Sequence, residues 1–167
     1  MLKVLWRKPS TRARLQILVD RLELPEDWTA TECFASVERI RCRRIVRLPL
    51  PSTSPVGLCG LWLACSDYDV IFLRPSSEPT VELHVSLHEV GHMLLDHGRD
   101  MSISAAKLDS LLEAAANHGI DGSTARTACG VSSYDTRDEY EAELFTTLIG
   151  TRARASGPRR DRMLKEL

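Results

Sequence analysis

The chain has 167 residues, a formal net charge of -1, 43% hydrophobic and 27% charged residues, which suits one compact domain with a real core. Near-neutral charge gives no global field for nucleic acid or an anionic membrane. The longest apolar run, Val56 to Cys65, is far too short to span a bilayer. The first residues, Met1 to Pro9, meet charge before a leader core could form, so the expected location is cytoplasmic.

Residues 10–24 read as a helix capped by Ser10 or Thr11, with Leu15, Leu18, Val19 and Leu22 at helical spacing and Pro25 ending it. A second helix starts near Thr29 or Thr31 and buries Cys33, Phe34, Val37 and Ile40. Arg44 to Leu48 alternates charged and aliphatic residues, as a strand does. Pro49, Pro51 and Pro55 then stiffen a loop. Leu58 to Cys65 and Val70 to Leu73 form a hairpin about the turn Ser66-Asp67-Tyr68-Asp69. A long helix is expected from Pro79 to His97, with Pro in its first turn, Glu82 placed for the dipole and Gly98 as its stop. Ser102 to His118 is amphipathic, with Leu108, Leu111, Leu112 and Ala115 inward; His118 caps its end. Gly119, Gly122 and Gly130 mark a loop or short helical region, and a last helix runs from Thr136 to Arg154.

This order predicts an α+β fold, mostly helical, with a small three-stranded antiparallel sheet. It reads as a single domain over 1–155, with 1–50 a helical N-terminal part and 55–155 the core, followed by a flexible tail, 156–167. There are no internal repeats. The five cysteines, Cys33, Cys42, Cys59, Cys65 and Cys129, are odd in number and contain no CxxC pattern. They read as reduced, buried thiols rather than a disulfide scaffold or a thiolate zinc knuckle. Cys59 with Cys65 is the one pair that could capture zinc.

The stretch that points to chemistry is His88-Glu89-Val90-Gly91-His92, an HExxH motif. Residues four apart share a helix face, so both imidazoles can reach one metal ion, and Glu89 can take a proton from a metal-bound water. A solvated helix face would also carry His and Glu. The flanking Leu87, Val90, Gly91, Leu94 and Leu95 instead make this a core helix, in which polar side chains need partners.

Catalytic zinc takes three protein ligands. A continuation as HExxHxxGxxH is excluded, because Leu95 and Gly98 stand where its glycine and third histidine belong. His97 follows His92 by five residues, about 140° round a regular helix, and is a poor ligand; it reads as a cap. A carboxylate from Asp138-Glu139-Tyr140-Glu141-Ala142-Glu143 is the remaining solution. Glu139 and Glu143 share a face, so Glu139 can bind the metal while Glu143 accepts from the far nitrogen of a ligating histidine. Glu141 and Glu143 stay open as alternative ligands. Ala142 lets two helices approach closely. His84, one turn before His88, belongs behind the ligands or in the substrate pocket, and Tyr134 and Tyr140 are candidates to polarise a carbonyl.

With these residues in view, the chain resembles the ImmA/IrrE family of metallopeptidases, whose motifs are HExGHxxLxH and a later helix ExxA[ND]xFAxxLL. The matching segments are His88 to His97 and Glu139 to Ile149, within a resemblance over residues 30–152. The resemblance implies a zincin-like domain holding one zinc ion. It implies an endopeptidase that cleaves a helix-turn-helix transcriptional repressor, in a regulatory or toxin–antitoxin-like pair. Carried over, His88 and His92 are zinc ligands, Glu89 the general base and Glu139 the third ligand. The chain departs from the pattern at Glu143, where Asn or Asp is usual, at Thr146 in place of alanine, and at Thr151-Arg152, where a proline usually closes the motif.

Two other readings stand beside this one. The same site could hold zinc in a non-catalytic regulatory partner of a repressor. Arg39, Arg41, Arg43, Arg44 and Arg47, with Arg152, Arg154, Arg159, Arg160 and Arg162, could track phosphates, although arginine clusters are more often solvated faces and the total charge stands against a dedicated nucleic-acid binder.

Overall fold

The computed structural model describes residues 9–97, 104–121, 127–130 and 136–154. The expected tail, Gly98 and Tyr134 lie outside them. Helix α1 (Thr11–Arg21) starts where the Ser10 hydroxyl accepts the Ala13 N–H, and it buries Leu15 and Val19. It stops one turn before Pro25. Helix α2 (Ala30–Arg41) has a capping box: Thr29 accepts the Glu32 N–H while the Glu32 carboxylate accepts the Thr29 N–H at 2.7 Å, which satisfies two donors that a helix start leaves orphaned. Cys33, Phe34 and Val37 are buried as its periodicity requires.

The sheet comprises β1 (Arg44–Pro49), β2 (Gly60–Ala64), β3 (Tyr68–Leu73) and β4 (Thr127–Gly130), in the spatial order β1-β3-β2-β4. The β2–β3 hairpin is antiparallel as expected, but β1 runs parallel to β3. The sheet is therefore mixed, not antiparallel. The cause lies in the proline-stiffened connection from β1 to β2. It carries the chain across the width of one strand, about 5 Å on each side, and the hairpin return places β3 in that gap. Since β2 runs opposite to β1, β3, antiparallel to β2, lies parallel to β1. The fourth strand, β4, pairs antiparallel with β2; its four residues fall where the glycine spacing suggested loop or helix.

Both faces of the sheet are covered, which explains why β2 and β3 are buried almost without alternation. Trp62, Ile71 and Leu73 face the larger core with Leu15, Val19, Trp28, Phe34, Leu87, Val90, Met93 and Phe145. Leu61, Leu63, Val70 and Phe72 face a smaller core closed by Leu111 and Ala115 of helix α4 (Ala105–Asn117). His118 sits at the C-terminal cap of α4.

Helix α3 (Pro79–Leu95) begins with Pro at its first turn and carries Glu82 there. Its end is set by Asp96, a left-handed residue at φ 58, two positions before the glycine expected to stop it. Asp is among the few side chains that tolerate this conformation. The His97 N–H bonds back to the His92 carbonyl at 3.0 Å, the long-reach bond of a Schellman-type ending. Helix α5 (Thr136–Arg154) packs across α3. The crossing is close because a Cβ on Gly91 would stand 3.1 Å from Ala142 Cα and 3.2 Å from Phe145, and Ala142 is fully buried. Among the described residues, no helix is long and apolar enough to cross a membrane.

Candidate metal centre

Helices α3 and α5 bring three side chains of the sequence motifs to one point. His88 and His92, one turn apart on α3, turn their Nε2 atoms toward each other at 3.0 Å. Glu139 of α5 lies over both, with Oε2 3.3 Å from His88 Nε2 and Oε1 3.5 Å from His92 Nε2. One ligand atom from each residue lies within 4.8 Å of the other two, so the group could hold a metal ion. Of the three glutamates in the α5 run, Glu139 is the one placed against both Nε2 atoms. His92 is fully buried and half-buried Glu139 has an oxygen, Oε1, that is buried without a hydrogen-bond partner. Unpaired buried polar atoms are costly unless a ligand meets them.

Glu89 is 1% exposed and points toward β2. Its Oε1 lies where a Cβ on Gly60 would come within 2.6 Å, so that glycine makes the space for the carboxyl. A hydrogen bond links Glu89 to the Trp62 backbone, and Oε2 is left buried with no partner. Desolvation, then the nearby Glu139 charge, push the Glu89 carboxyl up to about 8, against a smaller opposing effect from the Trp62 bond. Desolvation likewise raises Glu139, opposed by His88 and His97. His92 goes the other way: burial, with His88 and His97 alongside, lowers it to about 2, so the ring is neutral. Neutral imidazoles and a carboxylate are the protonation states metal binding needs.

The outer nitrogens of both histidines are also engaged. Glu143 Oε2 lies 3.5 Å from His88 Nδ1 and 3.3 Å from His84 Nε2. His92 Nδ1 makes a 3.0 Å hydrogen bond with His97 Nδ1. The sequence reads His97 as a cap and leaves Glu141 open as an alternative ligand. In the structure His97 is buried, and its Nε2 lies 3.6 Å from both Asp138 Oδ1 and Glu141 Oε2. Glu141 is buried too, held by Arg14 of α1 at 2.8 Å and by Arg137 at 3.3 Å. The regular-helix angle missed His97 because α3 ends before it. Tyr140 is exposed on α5, and Tyr134 lies outside the described residues.

Other expected groups lie elsewhere. Cys33 and Cys65 are buried and Cys59 is exposed; burial raises the Cys33 thiol to about 12 and also raises Cys65. Among the described residues, Cys59 and Cys65 belong to no group that could hold a metal. Two arginines of the cluster before β1 are committed internally. Arg41 grips buried Asp69 at 2.8 and 3.3 Å, and Arg43 approaches the same carboxylate at 3.8 Å. Arg47 stacks its guanidinium 4.7 Å from the Phe34 ring centre. Comparison of the chain with protein-family models, with curated proteins and with solved structures finds no match.

Proposed function

We propose that this protein is a zinc-dependent endopeptidase with His88, His92 and Glu139 as ligands and Glu89 as general base. The observation that carries the reading is the spacing of the ligand atoms. Zinc bonds of about 2.0–2.1 Å at a tetrahedral angle put ligand atoms roughly 3.3 Å apart; here the two imidazole nitrogens are 3.0 Å apart, and the Glu139 carboxylate brings Oε2 to 3.3 Å from His88 Nε2 and Oε1 to 3.5 Å from His92 Nε2. Two nitrogens and one carboxylate oxygen are also a donor set that suits zinc and leaves a coordination position open.

Bound zinc would supply Lewis acidity, acidifying a water molecule and polarising a peptide carbonyl. The chain's own residues do the rest. Glu143, 3.5 Å from His88 Nδ1, and His97, hydrogen-bonded to His92 Nδ1, lie behind the two rings and would leave each Nε2 to hold the ion. Glu89 takes the proton on its unpartnered Oε2 and passes it to the leaving amine. A carboxyl raised toward neutrality is matched to both transfers. The positive charge of the ion favours the ionised form, so loading readies Glu89 to act as base.

The resemblance supports a helix-turn-helix repressor as the first substrate to test. A cleavage assay of such a repressor with zinc and with a chelator decides the reading, read beside zinc content. Wild-type protein should hold one zinc per chain and cut; Glu89→Gln should hold zinc and not cut; His88→Ala should hold no stoichiometric zinc. Cleavage by the Glu89→Gln protein would remove the assigned mechanism. One observation favours a second reading, a zinc-holding regulatory partner that does not cut: Glu89 is 1% exposed, which leaves little room for a peptide beside it. Zinc binding without cleavage in wild type would select that reading. The commitment of Arg41 and Arg43 to Asp69 argues against phosphate tracking by that cluster.

A further inference from the structure

We propose that His97 is a positioning residue for the metal centre: its ring, oriented by two carboxylates of α5, fixes the tautomer of His92 that presents a bare Nε2. The inference rests on the metal-centre reading above and assigns a role that the HExxH motif does not contain.

The chain of contacts begins at α1. Arg14 Nη2 bonds Glu141 Oε1 at 2.8 Å. Glu141 Oε2 and Asp138 Oδ1 each lie 3.6 Å from His97 Nε2. That is longer than a direct hydrogen bond, but two carboxylates facing one ring nitrogen repel a lone pair there and favour an N–H. An imidazole that accepts at one ring nitrogen carries its proton on the other. With the proton on Nε2, His97 Nδ1 is an acceptor. Its hydrogen-bond partner at 3.0 Å, His92 Nδ1, must then donate. His92 therefore carries its proton on Nδ1, and Nε2, the atom facing His88 and Glu139, keeps the lone pair that a metal would use. Burial of both rings removes water as a competing partner. The geometry depends on the left-handed turn at Asp96, which swings the chain back so that the His97 ring lies edge-on to His92, centroids 5.2 Å apart, rather than continuing round the helix.

The role belongs to a group that never touches the ion. Outer hydrogen-bond partners of metal-ligating histidines typically contribute about 10–100-fold in metal affinity, and His97 is expected to act in that range. Zinc affinity, measured by competition with a chromophoric chelator, is compared for wild type, His97→Phe and His97→Gln. His97→Phe should weaken binding about 10–100-fold and shift the visible spectrum of the cobalt-substituted protein. His97→Gln, whose amide oxygen can accept from His92 Nδ1 while its nitrogen faces the carboxylates, should recover most of the affinity. A folded His97→Phe protein with wild-type affinity would overturn the role.

A second measurement needs no substitution. Nitrogen-15 NMR of histidine-labelled, zinc-free wild type should show His92 protonated on Nδ1 and His97 on Nε2; the opposite pair of tautomers would overturn the proposal even if His97→Phe fails to fold. The reading of the site fails separately: wild-type protein that takes up no zinc ends the metal-centre assignment whatever the tautomers are.

Discussion

Two regions of this molecule bury carboxylates, and they do it in opposite ways. Beneath α2, Asp69 is fully buried and fully matched. It takes two bonds from Arg41, one from the Trp62 indole at 2.9 Å and a longer approach from Arg43. Arg41 also donates to the Met93 carbonyl at 2.6 Å, so the cluster ties α2, β2, β3 and the end of α3 together. Between α3 and α5, Glu89 and Glu139 are set near each other with no arginine or lysine among the described residues paired to either, and each leaves an oxygen without a hydrogen-bond partner. The first cluster satisfies its charges and so stabilises a geometry; the second leaves charges unsatisfied and so presents a demand that a cation would meet. Burial of charge by itself separates neither from the other; the count of partners does.

Removing one member of each cluster should expose the difference. Asp69→Ala leaves the half-buried Arg41 and Arg43 facing an empty place in the core and is expected to cost about 3–5 kcal/mol of stability, read by denaturant unfolding. A loss under about 1 kcal/mol would mean that the cluster is not the tie described. Glu89→Gln is expected to do the reverse. It should reduce peptide cleavage by about 10²–10⁴-fold while leaving the zinc-free protein at least as stable as wild type at pH 7, since the amide spares the cost of holding a buried carboxyl protonated above its unfolded pKa.

A smaller effect tests the closeness of α3 and α5 on which the second cluster depends. Gly91→Ala puts a methyl against Ala142 and Phe145 and should cost about 1–3 kcal/mol, with zinc affinity falling as Glu139 is pushed outward. Unchanged affinity in a destabilised protein would detach the ligand geometry from the helix spacing.

The pH dependence of zinc-free stability separates the clusters most finely. Glu89 is raised from 4.5 to about 8, so above pH 4.5 the unfolded chain loses a proton that the folded one keeps, and stability falls as pH rises toward 8. His92 is lowered from 6.5 to about 2, so below pH 6.5 the unfolded chain gains a proton that the folded one refuses, and stability falls as pH drops. Between 4.5 and 6.5 the two slopes cancel. The zinc-free protein should therefore show a plateau there, with losses approaching about 1.4 kcal/mol per pH unit on either side. Glu89→Gln should flatten the alkaline side and turn the plateau into a continuation of the acid slope, which then begins at pH 6.5. An alkaline slope that survives this substitution would locate the strain in another group, such as Glu139, which is raised as well.

Much of the site was legible in the sequence because its decisive spacings are local. The four-residue repeat of His88 and His92 and of Glu139 and Glu143 is fixed by helix geometry, and Gly91 and Ala142 mark by their size where helices can cross. Helix starts were legible for the same reason: Ser10 and Thr29 act on backbone groups three residues away. The ends were less so, since α3 stops at a left-handed Asp96 rather than at the glycine that usually signals a stop.

By itself, the sequence determined the helices, the β2–β3 hairpin and the pair of imidazoles on one face, all products of interactions within a few residues. Only the tertiary structure decided which of Glu139, Glu141 and Glu143 meets those imidazoles, because that depends on how α5 is rotated against α3. It also decided that β1 lies parallel to β3, since strand order depends on how a connecting loop spans the sheet. And it decided that His97, out of register on an unbroken helix, returns to His92. One left-handed residue redirected the chain, and the packing of α1, α3 and α5 supplied the charges waiting there.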